Sequence, residues 1–222
     1  MLKPSRKIFK KEIKKDPFLD TFEKIENGFE KNRKTVINVL VFFVAIIIFG
    51  SIFIKNQKET DSESNTAFGA ALVAYSNFDY DNAKFQFQSI SSEYEGTESD
   101  ILSTYFLGKI AYELNDFSEA KLFLNTFLDK TDNETLVCGA IKQLVDISFQ
   151  ENDFLKSLEI LTKAKNFDIS RISKLDLKLL EIYTHLKIND LQSAEIEIGK
   201  ILNSKNLPSH IKQKADELKG LL

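Results

Sequence analysis

Two histidines, one cysteine and several acidic clusters are the residues of this 222-residue chain whose types could do chemistry. Metal binding needs such side chains at ligand spacing, and acid–base catalysis needs a companion within hydrogen-bond reach. His185 and His210 have neither and read as structural or surface residues. Cys138, between Val137 and Gly139, reads as a small core residue, and a lone cysteine forms no internal disulfide. The clusters Glu93-Tyr94-Glu95 and Glu98-Ser99-Asp100 lack calcium-loop spacing and suit a solvated link. No G-x-S-x-G, H-E-x-x-H or phosphate-cradling glycine loop occurs. The chain is expected to be no enzyme and to carry no cofactor or metal. Its function should lie in binding.

The binding residues must be positioned by a repeat. One phrase occurs four times: Phe78-Asp79-Tyr80-Asp81-Asn82-Ala83, Asn115-Asp116-Phe117-Ser118-Glu119-Ala120, Asn152-Asp153-Phe154-Leu155-Lys156-Ser157 and Asn189-Asp190-Leu191-Gln192-Ser193-Ala194. The closing small residue falls at 83, 120, 157 and 194, a constant step of 37. A period of this size signals stacked supersecondary units. Each phrase predicts a turn between two helices: Asn-Asp stops one and caps the next, a large apolar residue fills the bend, and the small residue lets two backbones approach. Three prolines, eight glycines and no tryptophan exclude a many-turned β protein. Pro208 opens a last segment, Ser209 to Leu218, whose Ile211, Ala215 and Leu218 suit a capping helix that closes the exposed core.

Ahead of the repeat lie features of another kind. Residues 1–35 hold 11 Lys/Arg against 6 Asp/Glu, or +5, and the remainder holds 19 against 27, or −8. An array of −8 lacks the basic footprint of a nucleic-acid binder. After a lysine-rich leader, Asp16-Pro17 suits a helix start, and Phe18, Phe22, Ile25 and Phe29 form one apolar stripe, suited either to lie on a membrane surface or to lead into a span. Val36 to Ile54 is then an uncharged run of 19 residues between Lys34 and Lys55. At about 1.5 Å per residue it covers the roughly 30 Å hydrocarbon core. Basic residues stay cytoplasmic, which puts the N-terminus inside and the C-terminal domain outside. The resulting layout is a cytoplasmic basic leader with an amphipathic helix (1–35), a transmembrane signal anchor (36–54), a polar tether without periodicity (55–65) and a helical repeat domain (66–222).

The second unit is the clearest: Leu107-Gly108-x-x-Ala111-Tyr112-Glu113-Leu114-Asn115-Asp116-Phe117-Ser118-Glu119-Ala120-x-x-x-Leu124. It resembles the tetratricopeptide repeat (TPR), a helix-turn-helix unit of about 34 residues. The expected fold is all-α, with a single N-terminal transmembrane helix and then a TPR-like α-solenoid of about four helix pairs plus a capping helix. The longer step implies extra residues in helices or in links such as Lys130 to Glu134. Lysine-rich leader, signal anchor and exported TPR array together resemble the bacterial ancillary subunit of the Sec translocon, a family that shares its TPR domain with a cell-division coordinator. The resemblance implies an inner-membrane protein that holds periplasmic chaperones or emerging chains beside the translocon. A TPR scaffold for envelope assembly or cell division is the alternative, and a surface sensor working through its cytoplasmic amphipathic helix is a third reading.

In a TPR stack the first helix of each pair lines a concave groove. Counting from Tyr112 by 37 gives Tyr75, Phe149 and Leu186; two turns earlier on the same face stand Phe68, Tyr105, Lys142 and Leu179, and between these ridges Leu72, Lys109, Asp146 and Tyr183. Aromatics with a few charges suit an extended peptide or a partner's helix. Some of these side chains would alternatively pack between repeats.

Overall fold

The computed structural model describes residues 32–131 and 133–222. The lysine-rich leader and the striped segment of Phe18, Phe22, Ile25 and Phe29 lie outside the described residues. The chain divides into two compact units, Met1–Lys58 and Glu59–Leu222. Among the described residues there are nine helices and no strand: α1 Arg33–Ser76, α2 Tyr80–Glu93, α3 Glu98–Glu113, α4 Phe117–Lys130, α5 Glu134–Gln150, α6 Phe154–Ala164, α7 Arg171–Lys187, α8 Leu191–Leu202 and α9 Ser209–Lys219. Four pairs and a terminal helix match the expected solenoid.

In the first unit, the apolar run is helical and long enough to cross a membrane, and none of its most apolar window is buried inside the protein. Residues 55–65, the stretch read as a polar tether without periodicity, are helical throughout, as part of α1. The stretch contains no proline or glycine, and helix propagates cheaply once strong formers on either side have nucleated it. Part of it already belongs to the folded array: Ser64 is buried, and Asn65 Oδ1 accepts a 2.8 Å hydrogen bond from Ser99 Oγ on α3.

The four phrases fold alike, and the backbone shows why. Phe78, Asn115, Asn152 and Asn189 have φ of 60, 62, 58 and 61°. That left-handed residue ends the first helix in a Schellman motif. In the second unit, Asn115 N–H donates to Tyr112 O at 3.0 Å and Asp116 N–H to Ala111 O at 2.8 Å. Asp116 then turns its carboxylate forward and accepts from Glu119 N–H, capping α4. Asp79, Asp153 and Asp190 cap α2, α6 and α8 in the same way. One aspartate thus closes one helix through its backbone and opens the next through its side chain. Ala83, Ala120, Ser157 and Ala194, which close the phrases, are all fully buried.

Asparagine tolerates the left-handed region, whereas a phenylalanine there is strained. Phe78 is also 77% exposed and touches Tyr80 only edge-on, with ring centroids 6.2 Å apart. Phe78→Asn is expected to stabilise the array by about 1 kcal/mol, read as a rise in its denaturant midpoint.

Successive pairs stack through buried apolar layers. Phe87, Ile90, Leu107 and Ile110 join the first pair to α3, and Tyr105, Leu124, Phe127, Ala140 and Leu144 join the second pair to α5. The first helix of each pair also touches the first helix of the next, α3 with α5, α5 with α7 and α7 with α9. These odd-numbered helices form one continuous wall.

Candidate functional site

On that wall lies a cleft of about 870 Å³. Its sides include Tyr112 of α3, Lys142, Gln143, Asp146 and Phe149 of α5, Asp176, Leu179 and Tyr183 of α7, and Lys214, Leu218 and Leu221 from the C-terminal segment. Six of the eleven groove candidates meet here: Tyr112, Lys142, Asp146, Phe149, Leu179 and Tyr183. Phe149 and Tyr183 stack with centroids 5.5 Å apart and planes 10° from parallel. Lys187 Nζ sits 5.1 Å over the Tyr183 ring. Charged groups cross from helix to helix. Asp176 pairs with Lys142 of α5 and, at 3.5 Å, with Lys214 of α9. Burial pushes the Asp176 carboxyl up, but the hydrogen bonds and charges of Lys142 and Lys214 outweigh it and hold the pKa below its ordinary value.

The other five candidates gather around α1 and α3. Phe68 and Tyr75 pack against Phe106, with centroids 5.8 and 5.1 Å away, and Leu72 packs on the core below them. Lys109 Nζ lies 5.4, 5.9 and 5.7 Å from the ring centroids of Tyr75, Tyr105 and Phe106. Two candidates are core residues. Tyr105 is 7% exposed and Leu179 5%, each a member of a buried cluster, although Leu179 also reaches the cleft floor. Tyr105 fits between α3 and α5 because the facing residue is Gly139, where a Cβ would lie 2.6 Å from the Tyr105 hydroxyl. Sequence periodicity sees the face of a helix but not a gap in its neighbour.

Two contributions were missed by counting. Phe106 organises the aromatic group at α1 and α3, and Lys214, Leu218 and Leu221 wall the cleft. No repeated phrase follows Pro208, so stepping by 37 stops before the last helix. The i, i+4, i+7 spacing of Lys214, Leu218 and Leu221 was the available signal.

The ridge residues at 75, 112 and 149 have a packing role as well. Each sits against the aromatic at the following bend: Tyr75 on Tyr80 at 5.7 Å, Tyr112 on Phe117 at 6.2 Å and Phe149 on Phe154 at 5.1 Å. Tyr112 also donates its hydroxyl to Asp146 Oδ2 at 2.5 Å, tying α3 to α5. That hydrogen bond, with burial and the nearby negative charge, pushes the Tyr112 pKa up to about 12 from 10.0. A raised pKa means the neutral phenol is favoured by folding. Its stabilisation is full below pH 10 and fades as pH rises toward about 12. Tyr75 and Tyr105 shift the same way, chiefly through burial. Tyr112→Phe is therefore expected to flatten part of the alkaline loss of stability, which denaturant midpoints across that range measure.

A family model described as a tetratricopeptide repeat-like domain matches residues 28–170. The chain belongs to that family. No curated protein matches it. The match ends where the connector before α7 ends, so the fourth pair of this tetratricopeptide repeat-like chain is identified by its own phrase at Asn189 and by the four identical turns. Such a repeat array is an interaction scaffold, and no enzymatic family is indicated. Among the described residues no group of His, Cys, Asp and Glu is placed to hold a metal. His185 Nδ1 lies 3.0 Å from the capping carboxylate of Asp190, an ordinary structural setting. Cys138 is a buried core residue.

Proposed function

We propose that this chain is a single-pass membrane protein whose cleft receives a polypeptide partner outside the bacterial inner membrane. Its N-terminus would be cytoplasmic, its helical array periplasmic, and its partners the Sec translocon and a periplasmic chaperone. The observation that carries the docking role is the composition of the cleft. It offers stacked aromatic area at Phe149 and Tyr183 beside the charged groups of Lys142, Asp146, Asp176 and Lys214. Aromatic area with a few charges suits an extended peptide or a partner's helix. The other aromatic group, with Phe68, Leu72, Tyr75 and Lys109, would extend the docking surface along the same wall. Support for the anchor comes from the apolar length of α1 and from the excess of Lys/Arg before it.

Crosslinking in native membranes tests the assignment. Crosslinks to translocon subunits and a chaperone are the expected result. Crosslinks confined to envelope-synthesis or division proteins would overturn the export role and favour the scaffold.

A further inference from the structure

The packing of α6 on α7 leaves a second opening, of about 460 Å³, on the opposite face of α7 from the cleft. Its floor is hydrocarbon. Leu161 and Ala164 of α6, Ile169 of the connector and Leu177 of α7 line it, and all four are buried. Its rim is cationic, made by Lys165, Arg171, Lys174 and Lys178, with Glu181 the one carboxylate of the lining.

The rim charges do not balance. Glu181 serves Lys165 at 3.2 Å and Lys178 at 3.0 Å, and Lys178 also reaches Glu197 at 2.8 Å. The Arg171 guanidinium donates to backbone carbonyls instead, Lys205 O at 2.5 Å and Asn206 O at 3.3 Å. Those carbonyls fix its position without cancelling its charge. Lys174 is exposed and acts on Glu134 through space without a direct ion pair. Two cations thus stand over an apolar floor without a carboxylate in contact.

An apolar floor favours a hydrocarbon chain, and a net positive rim favours a negative head; the lysine stems would cover the chain while their ammonium groups reach the head. Size suits a small ligand. The volume falls within the roughly 300–1,000 Å³ of small-ligand sites.

We infer that this opening binds a single-chain anionic amphiphile. Its chain lies on Leu161, Ala164, Ile169 and Leu177, and its carboxylate or phosphate head meets Arg171, Lys174 and Lys165. The test uses the full chain in nanodiscs of zwitterionic phosphatidylcholine, with lauric acid carrying a chain-end diazirine as the probe. Photolysis is expected to label the segment from Leu161 to Leu177. Unlabelled laurate and lauryl phosphate should both compete, and the stronger competitor identifies the head. Lys174→Glu, which removes no hydrogen bond or direct ion pair, should lower labelling about three- to tenfold at unchanged helicity. Labelling of the helical array only outside that segment, equal competition by dodecyltrimethylammonium, equal competition by inorganic phosphate, or full labelling of folded Lys174→Glu would overturn the assignment.

Discussion

Phe127→Ala is expected to remove about 3–5 kcal/mol of unfolding free energy, the range for emptying a buried aromatic site. Phe127 is fully buried near the end of α4, at the position that Ile90, Ala164 and Ile201 occupy in the other units. Its ring lies 5.0 Å from that of Tyr105 on α3, and its cluster includes Ala140 and Leu144 of α5. It therefore holds the second pair together and also stacks that pair on the third. In a solenoid the stability is a sum of unit and nearest-neighbour terms, so damage at one interface is felt first by the two units that share it. Hydrogen exchange should show protection lost in α3, α4 and α5 before α7 and α8. Uniform loss along the array, or a cost under about 1 kcal/mol, would show that this layer does not couple the pairs.

Gly108→Val is expected to cost about 2–3 kcal/mol, by overpacking instead of emptying. A Cβ at Gly108 would lie 2.8 Å from Leu124 Cγ and 3.2 Å from Leu124 N. The side-chain clash could be relieved by a new rotamer. The backbone one requires α4 to retreat from α3, and that opens the layer around Leu124 and Phe127. Gly199→Ala in α8 is the control, because a Cβ there meets nothing within 4 Å. With no contact to disturb, it should gain about 0.5–1 kcal/mol from the lower helix cost of alanine. Opposite signs at two helical glycines, read from urea unfolding of the full chain in a neutral bilayer mimic, would tie the effect to close helix approach. A gain at both sites would deny it.

The repeat was legible because its signal is local. Asn-Asp at the turn and a small residue four or five positions on are short-range requirements of backbone geometry and capping, and the structure repeats them at each step. Even the exception, Phe78 in place of asparagine, takes the same turn. The face of each first helix was legible too, which is why Tyr112, Lys142, Asp146, Phe149 and Tyr183 converge. What a side chain on that face meets was not legible, because it depends on the neighbouring helix: Gly139 admits Tyr105 into the core, and nothing near Tyr105 in the sequence announces this. The helicity of the polar run from Lys55 to Asn65 was not legible either. Lack of an apolar stripe signals lack of burial, not lack of helix, and its Gln, Lys and Glu residues are acceptable helix formers.

The measurement that reaches furthest into the functional reading replaces Tyr183, in the cleft, or Leu122, exposed on α4 outside it, with a photoreactive phenylalanine analogue in native membranes. If the odd-numbered helices form the docking wall, Tyr183 should give a discrete crosslinked polypeptide from the export machinery and Leu122 should give none. Equal crosslinking from both positions, or none from Tyr183 in a folded array, would contradict it.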